Sequence, residues 1–160
     1  EILSLLNKGV RASLHQTNTE DSTRDGMDIA FCAIDPEERT LHFASANRPL
    51  WIIRKDGTEV EVYKGTRAAI GGFTENDQHF KTHSLKLEKG DTFYLFSDGY
   101  PDLFSAAGKK LTIRKFRKLI LKMQNIKSME KQKDYLESYS IQWMSGEKQI
   151  DDILIIGIRI

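Results

Sequence analysis

The chain has 160 residues, enough for one domain with a sizeable core. Hydrophobic residues make up 39% and charged residues 29%, and the formal net charge is +1, so no overall field favours nucleic acid or a membrane. The single cysteine, Cys32, excludes an internal disulfide framework and is interpreted as a buried structural thiol. No apolar stretch is long enough to span a bilayer, and no signal peptide is visible.

The first two thirds of the sequence predict one helix followed by short strands. Apolar residues at helical spacing predict the helix, with one face formed by Ile2, Leu5, Leu6, Val10 and Leu14. A polar loop follows at 16–26, and turn sequences such as Asp35-Pro36 separate the later apolar runs. The predicted strands are 29–34, 41–45, 50–53, 60–62, 80–87 and 93–96, with a small-residue loop at 68–72.

The last third predicts two amphipathic helices and a closing strand. Apolar residues within 116–123 recur at i, i+3, i+4 and i+7, with Lys and Arg between them. A second helix is predicted over Met129–Met144, and the apolar stretch 153–160 predicts the closing strand. Strands joined by short turns and followed by helices indicate an α+β fold with mainly antiparallel sheets, and we expect residues 1–160 to form a single domain.

The stretch 109–133 is rich in Lys and Arg. It could dock an acidic partner or a membrane, but apolar residues at core spacing alternate with the charges, which favours a solvated helix face. Its aromatic residues are too few and too periodic for a nucleic-acid platform, so no nucleic-acid partner is expected.

Two acidic motifs lie beside apolar strands. The predicted strand 93–96 leads through a serine to Asp98 and Gly99, and Asp151 and Asp152 lead directly into the closing strand. Carboxylates held at strand ends suit Mg²⁺ or Mn²⁺, and Gly99 would let the backbone turn sharply beside such a ligand. An Asp-Gly pair after a strand is also a common turn, so the pattern alone leaves both interpretations open.

Other polar candidates have simpler interpretations. Asn47 and Arg48 could bind a substrate phosphate, but a turn that caps its own backbone is favoured. The histidines lack metal-ligand spacing and are interpreted as surface or structural residues: His15, His42, His79 and His83.

Five landmarks follow one another in a fixed order along the chain. They are Asp25-Gly26-Met27-Asp28 with the strand that ends at Asp35, Ala44-Ser45-Ala46-Asn47-Arg48-Pro49-Leu50, Ala69-Ile70-Gly71, the run from Leu87 through Asp98 and Gly99 to Tyr100, and Asp151-Asp152-Ile153-Leu154. By their order and spacing the sequence resembles the SpoIIE-type (RsbU-like) serine phosphatases of the metal-dependent PPM superfamily, relatives of the type 2C protein phosphatases. The resemblance extends from the first helix to Ile160.

The resemblance implies two mainly antiparallel sheets packed as a sandwich and flanked by helices. It also implies a protein serine/threonine phosphatase in which two Mn²⁺ or Mg²⁺ ions activate a water for in-line attack on the phosphoryl group. The family's metal-binding aspartates correspond to Asp98 and to Asp151, the first of the closing pair. Neighbours on an extended strand point to opposite faces, so Asp151 and Asp152 are not expected to serve equally. Asp152 is the alternative ligand to Asp151. No covalent phosphoenzyme is expected, and Cys32 has no part in the reaction.

Two departures from the family pattern are visible. An earlier Gly-Asp-x-x-Gly-His-Gly motif does not occur in this sequence, so we expect a domain that is incomplete at its N-terminus and inactive by itself. Leu154 also stands where the family usually has Thr.

The resemblance further implies a phosphorylated protein substrate, such as an anti-sigma-factor antagonist of a bacterial partner-switching pathway. Sensor segments would lie upstream, and the domain would be cytoplasmic even if its parent were membrane-anchored. Two alternatives remain open: a catalytically inactive pseudophosphatase used as a binding module, and an interaction domain in which Asp98 and Asp151 are turn residues.

Overall fold

The structure is a computed structural model that describes residues 1–17 and 23–160. The centre of the predicted loop 16–26 lies outside the described residues. The chain divides into two units, the first formed by Glu1–Leu50 with Val62–Glu88 and the second by Trp51–Glu61 with Lys89–Ile160. That these units form a single domain stays a prediction.

Helices and antiparallel strands alternate along the chain much as the sequence predicts. The helices are α1 (Ile2–Ser13), α2 (Ile113–Lys122) and α3 (Met129–Met144), with a 3₁₀ turn at Met123–Asn125. The strands are β1 (Gly26–Met27), β2 (Ile29–Asp35), β3 (Thr40–Ala46), β4 (Leu50–Ile53), β5 (Glu61–Tyr63), β6 (Ile70–Gly71), β7 (Thr82–Lys86), β8 (Thr92–Phe96) and β9 (Ile155–Arg159). The α+β prediction is confirmed, and the described strands form three sheets where two were expected.

The first unit contains a three-stranded antiparallel sheet with β3 at its centre, between β2 and β7. The additional sheet has two short strands, β1 and β6, in which Met27 faces Ile70. The prediction of a loop at 68–72 is therefore wrong at Ile70–Gly71, because the main chain there pairs with a segment more than forty residues earlier in the sequence.

Helix α1 packs with a face that matches only part of the one its apolar spacing indicates. Leu6 and Val10 of the predicted face pack against the core, as expected. Leu3 is buried in a small core, whereas Ile2 and Leu5 are 55% and 61% exposed. The buried face continues with Asn7 and Arg11, which are 0% and 9% exposed. These polar side chains tolerate burial because they hydrogen-bond to main-chain groups of β6 and of the turn after it.

The second unit contains a sheet in which β4 pairs with β8 and β8 with β9. Helix α2 covers this sheet through Phe116, whose ring lies 5.5 Å from that of Trp51 and 5.1 Å from that of Phe96. Helix α3 contributes Gln132, which accepts a hydrogen bond from the Tyr94 hydroxyl at 2.7 Å. None of the helices in residues 1–17 and 23–160 is long and apolar enough to cross a membrane.

Candidate active site

Strands β8 and β9 carry the two acidic motifs to the same end of one sheet. Their pairing runs to Phe96 opposite Ile155, and the Ser97 amide then donates to the Leu154 carbonyl at 2.9 Å. The chain that follows Ser97 therefore lies beside the chain that precedes Leu154. The sheet thus brings together two motifs that are far apart in sequence.

The Ser97 side chain ties the two segments together. Its hydroxyl donates to the Asp152 carbonyl at 2.8 Å, and the same oxygen accepts a hydrogen bond from the Leu154 amide at 3.0 Å. Sequence reasoning gave this serine no role of its own. Its place in the Ser-Asp-Gly motif was the available signal, but the main-chain partners could not be identified without the fold.

Gly99 is required because two stretches of main chain approach each other closely. A Cβ atom at this position would lie 2.3 Å from the Asp152 carbonyl oxygen and 3.2 Å from the Asp151 carbonyl oxygen. The chain does turn at 99–102, as expected, but the φ of Gly99 is not positive, so the turn itself does not require glycine. What the glycine provides is room for the backbone of the closing acidic pair.

The side chains of Asp98, Asp151 and Asp152 are all exposed at this junction. The Asp98 carbonyl accepts from the Asp102 amide at 3.0 Å, which closes a turn directly after the motif. The Asp151 carboxylate accepts from the Asp152 amide at 2.8 Å. Strand alternation does not separate Asp151 from Asp152, because β9 begins only at Ile155.

The donor chemistry of this junction suits a hard divalent cation. Carboxylate and carbonyl oxygens are the ligands that Mg²⁺ and Mn²⁺ prefer. Across residues 1–17 and 23–160, however, no group of three or more His, Cys, Asp or Glu side chains could hold a metal ion. The junction therefore matches such an ion in ligand type, and the metal-binding roles of Asp98, Asp151 and Asp152 stay predictions.

Tyr100 anchors the chain that leaves the Ser-Asp-Gly motif. It is 2% exposed, and its hydroxyl donates to the Leu136 carbonyl of α3 at 2.8 Å. Its ring lies 5.0 Å from that of Phe116 on α2. Burial raises the pKa of Tyr100 well above its usual value, so the hydroxyl stays neutral and serves the packing of both helices.

Asn47 and Arg48 lie in the first unit and are both engaged by Asp28. The Asn47 side-chain amide donates to one Asp28 carboxylate oxygen at 2.7 Å, and the Arg48 guanidinium lies 3.1 Å from the other. Asn47 has a φ of 61°, and the Arg48 amide donates to the Ala46 carbonyl at 2.7 Å, as in a tight turn. These contacts support the turn interpretation, and a substrate-binding role for the pair stays a prediction.

The remaining candidates have structural surroundings. Cys32 is half-buried, less than expected, and burial raises its pKa to about 11, so the thiol is a poor nucleophile near neutral pH. His42 shares a hydrogen bond of 2.9 Å with Ser84, and His83 one of 3.1 Å with the Lys64 carbonyl. Neither contact involves a carboxylate that could complete a metal site.

The sheets, the helices and the joined acidic motifs together define the fold class of the PP2C-type phosphatase domains. The profile of the Stage II sporulation protein E (SpoIIE) family matches residues 1–160, and the chain belongs to this family. Among curated proteins, none matches the sequence.

Solved structures of phosphatase domains share this fold. The SiaA-PP2C domain of Pseudomonas aeruginosa superimposes with a TM-score of 0.83 at 28% identity, over 99% of this chain and 59% of that one. The SpoIIE phosphatase domain of Bacillus subtilis, presoaked with Mn, gives a TM-score of 0.58 at 20% identity, over 96% of this chain and 64% of that one. RsbX in complex with magnesium gives 0.58 at 21% identity, over 98% and 63%. The chain thus spans about 60% of the length of these structures.

Proposed function

We propose that the chain forms part of the active site of a metal-dependent protein serine/threonine phosphatase. The observation that carries this proposal is the contact of Ser97 and Gly99 with the main chain of Asp151 and Asp152. It fixes two acidic motifs of a phosphatase family at one end of a sheet, which is where rigidly held carboxylates are most useful.

Within this proposal each residue of the junction has a role. Asp98 and Asp151 hold Mn²⁺ or Mg²⁺, with Asp152 as the alternative to Asp151, and two ions belong to the complete site. A bound ion supplies an activated water and neutralises charge on the phosphoryl oxygens. Ser97 and Gly99 set the spacing of the carboxylates. The Ser97 hydroxyl is already committed to Asp152 and Leu154, so it is a positioning group rather than a nucleophile.

The chain by itself is expected to hydrolyse phosphoesters negligibly. The phosphatase domains that share its fold are longer, since the chain spans only 59% of the SiaA-PP2C domain. The family pattern places another metal-binding aspartate in the Gly-Asp-x-x-Gly-His-Gly motif, which this sequence lacks. We therefore assign catalysis to the natural gene product that contains this chain together with those additional ligands.

The proposed substrate is a phosphorylated regulatory protein, such as an anti-sigma-factor antagonist in a bacterial partner-switching pathway. Support comes from the family and from regulatory proteins that share the fold, among them PppA of Pseudomonas aeruginosa, a key regulatory component of T6SS. In this proposal sensor segments of the parent control the domain, which acts in the cytoplasm.

The test compares the natural gene product with its Asp98→Asn variant on a serine-phosphorylated peptide, with and without Mn²⁺. Hydrolysis should require Mn²⁺, and Asp98→Asn should lower the rate by about 100-fold or more, because even residues that only support a metal ligand change activity by 10- to 100-fold. The matched control is Asp56→Asn, an exposed turn residue whose positive φ asparagine also accepts. Full activity of Asp98→Asn would place the chemistry elsewhere.

A second candidate is a pseudophosphatase that binds phosphoproteins without hydrolysing them. Leu154 favours it, because an apolar side chain that is 58% exposed stands where the family usually has Thr. In the same assay this candidate predicts that the protein binds the serine-phosphorylated peptide and releases no phosphate from it. Replacing Leu154 with Thr would then be the variant to examine for restored hydrolysis.

A further inference from the structure

Residues 109–133 concentrate positive charge in a nearly neutral chain. They hold ten of its 24 Lys and Arg residues but only one of its 23 Asp and Glu residues, a formal charge of +9 against −8 for the remainder. All ten basic side chains are exposed. The structure therefore has one strongly cationic region, and it lies in the second unit.

Helix α2 shows how this charge is arranged. At 100° per residue its buried side chains, Phe116, Leu119 and Ile120, fall on one side of the helix. Its basic residues occupy the other side: Arg114, Lys115, Arg117, Lys118 and Lys122. The outward side of the helix contains no acidic residue at all.

This arrangement is unfavourable for the helix itself. Arg114 faces both Arg117 and Lys118 at the i, i+3 and i, i+4 spacings where like charges repel, and Lys118 faces Lys122. The first turn has no acidic residue and Thr112 provides no side-chain cap, so positive charge lies at the positive end of the helix dipole. Packing alone would be served equally well by neutral polar residues on this face.

Few counter-ions lie within the described part of the chain. Only Lys110 and Lys133 of the ten form ion pairs there, with Asp102 at 2.8 Å and Glu137 at 3.5 Å. Three others lie over aromatic rings, Lys115 at 4.2 Å from Trp143, Lys122 at 6.0 Å from Tyr135 and Arg117 at 5.3 Å from Trp51. The Lys115 and Lys122 contacts hold α2 alongside α3, and all ten basic side chains stay exposed to solvent.

We propose that the outward face of α2 is a docking surface for an anionic lipid bilayer. Eight of the ten basic residues are Lys, which is depleted from protein interfaces but is attracted to anionic lipids without matched geometry. A nucleic acid is disfavoured because the rings of Trp143 and Tyr135 are covered by Lys115 and Lys122 and are not offered to bases.

The experiment measures sedimentation of the whole chain with lipid vesicles and does not depend on phosphatase activity. The vesicles contain phosphatidylcholine with about 30% phosphatidylglycerol, or phosphatidylcholine alone. The chain should bind the mixed vesicles at an ionic strength of about 0.05 M and dissociate from them at about 0.5 M. It should not bind the neutral vesicles. Failure to bind the mixed vesicles at low salt would overturn the proposal, whatever the outcome for hydrolysis.

The decisive variant removes four exposed cations that have neither an ion-pair partner nor an aromatic ring beside them among the described residues. The substitutions are Lys109→Gln, Arg114→Gln, Lys118→Gln and Lys127→Gln. Each charge near an anionic leaflet strengthens binding about fivefold, so affinity should fall by at least about 25-fold even if only two of the four engage the lipid. Thermal melts of the variant should match or exceed those of the wild type, because repulsion along α2 is relieved.

A control variant with the same net charge separates a surface from a global charge effect. Its four substitutions lie outside the cationic region: Lys8→Gln, Lys64→Gln, Lys81→Gln and Lys89→Gln. The control should bind within about twofold of the wild type, and an equal loss in both variants would overturn the proposal. If the wild type instead ignores vesicles and binds polyglutamate through the same four residues, the face docks acidic proteins and the lipid assignment is wrong.

Discussion

Ser97 donates a hydrogen bond of 2.8 Å to the main-chain carbonyl of Asp152, across 55 residues of sequence. The same hydroxyl oxygen accepts from the Leu154 amide, so one side chain holds both ends of the short segment before β9. The serine of the Ser-Asp-Gly motif thus positions the second acidic motif, while the neighbouring Asp98 is the proposed ligand.

Replacing Ser97 with Ala should loosen this segment. Two hydrogen bonds are lost, each contributing about 1 kcal/mol, so the free energy of unfolding should fall by about 1–2 kcal/mol. Urea denaturation measures the loss, and amide hydrogen exchange at Leu154 should accelerate. Ser97→Thr keeps the hydroxyl and should restore most of both readouts. An Ala variant with an unchanged Leu154 exchange rate would show that the hydroxyl does not hold the segment.

Gly99→Ala should be destabilising by about 1–3 kcal/mol, because the added Cβ would meet the Asp152 carbonyl oxygen at 2.3 Å and the main chain would have to move. Urea denaturation again gives the magnitude. Gly9→Ala is the matched control. It lies in α1 with nothing within 4 Å of its Cβ position, and there alanine should stabilise by about 0.5–1 kcal/mol. A neutral Gly99→Ala would mean that the two motifs are not in contact.

Asp91 should be one of the most sensitive acidic residues for stability. It is 2% exposed and accepts from the Arg54 guanidinium and from the Lys55 amide, both at 2.8 Å. Glu61 and then Asp91 raise the pKa of Arg54, and the guanidinium, which is 36% exposed, keeps Glu61 as a partner when Asp91 is removed. Asp91→Ala should therefore cost about 1–3 kcal/mol, chiefly because the Lys55 amide loses its buried acceptor.

Glu61→Gln is the comparison for Asp91→Ala. Glu61 pairs with the same guanidinium at 3.0 Å, but its side chain is 35% exposed, so its loss should cost less than about 1 kcal/mol. Chemical denaturation of both variants tests the ranking. Equal losses would show that the burial of Asp91 contributes nothing to its effect.

Stability should decline in alkali partly because of Cys32. Burial raises its pKa from the ordinary 9.0 to about 11, so between these values the folded state keeps a proton that the unfolded state has lost. This contribution is complete below about pH 9 and is lost as the pH rises toward about 11. Cys32→Ala should therefore lose less stability than the wild type between about pH 8 and about pH 10.5. Urea denaturation at the two pH values gives the free energy of unfolding of each protein. An equal loss in the wild type and in Cys32→Ala would contradict the prediction.

Sequence patterns predicted the elements whose packing follows local periodicity. Helix α3 spans its predicted range, and Ser128 caps it by accepting from the Lys131 amide at 3.3 Å. The buried face of α1 is predicted only in part, because Leu6 and Val10 pack on the core as expected whereas the polar remainder of the face binds main-chain groups of β6 and the distant turn after it. Apolar spacing cannot reveal that Asn7 will find hydrogen-bonding partners inside the fold.

The candidate site, like the fold, was predictable from the sequence only in part. The order of the motifs singled out Asp98, Asp151 and Asp152, and the structure joins the segments that carry them. The role of Ser97 and the reason for Gly99 were beyond sequence reasoning, because both depend on carbonyl oxygens contributed by residues more than fifty positions away. Metal binding by the three aspartates stays a prediction that the proposed assay addresses.

The contacts between α1 and the turn after β6 have a consequence for how this region can evolve. Ser4 donates to the Gln78 carbonyl, Asn7 to that of Glu75 and Arg11 to that of Thr74. Every acceptor belongs to the main chain, which any amino acid supplies in the same place. The contacts with α1 therefore place no constraint on the side chains of the turn, among them Phe73 at 79% exposure. The exposed side chains of this turn can change during evolution without loss of the hydrogen bonds that hold α1.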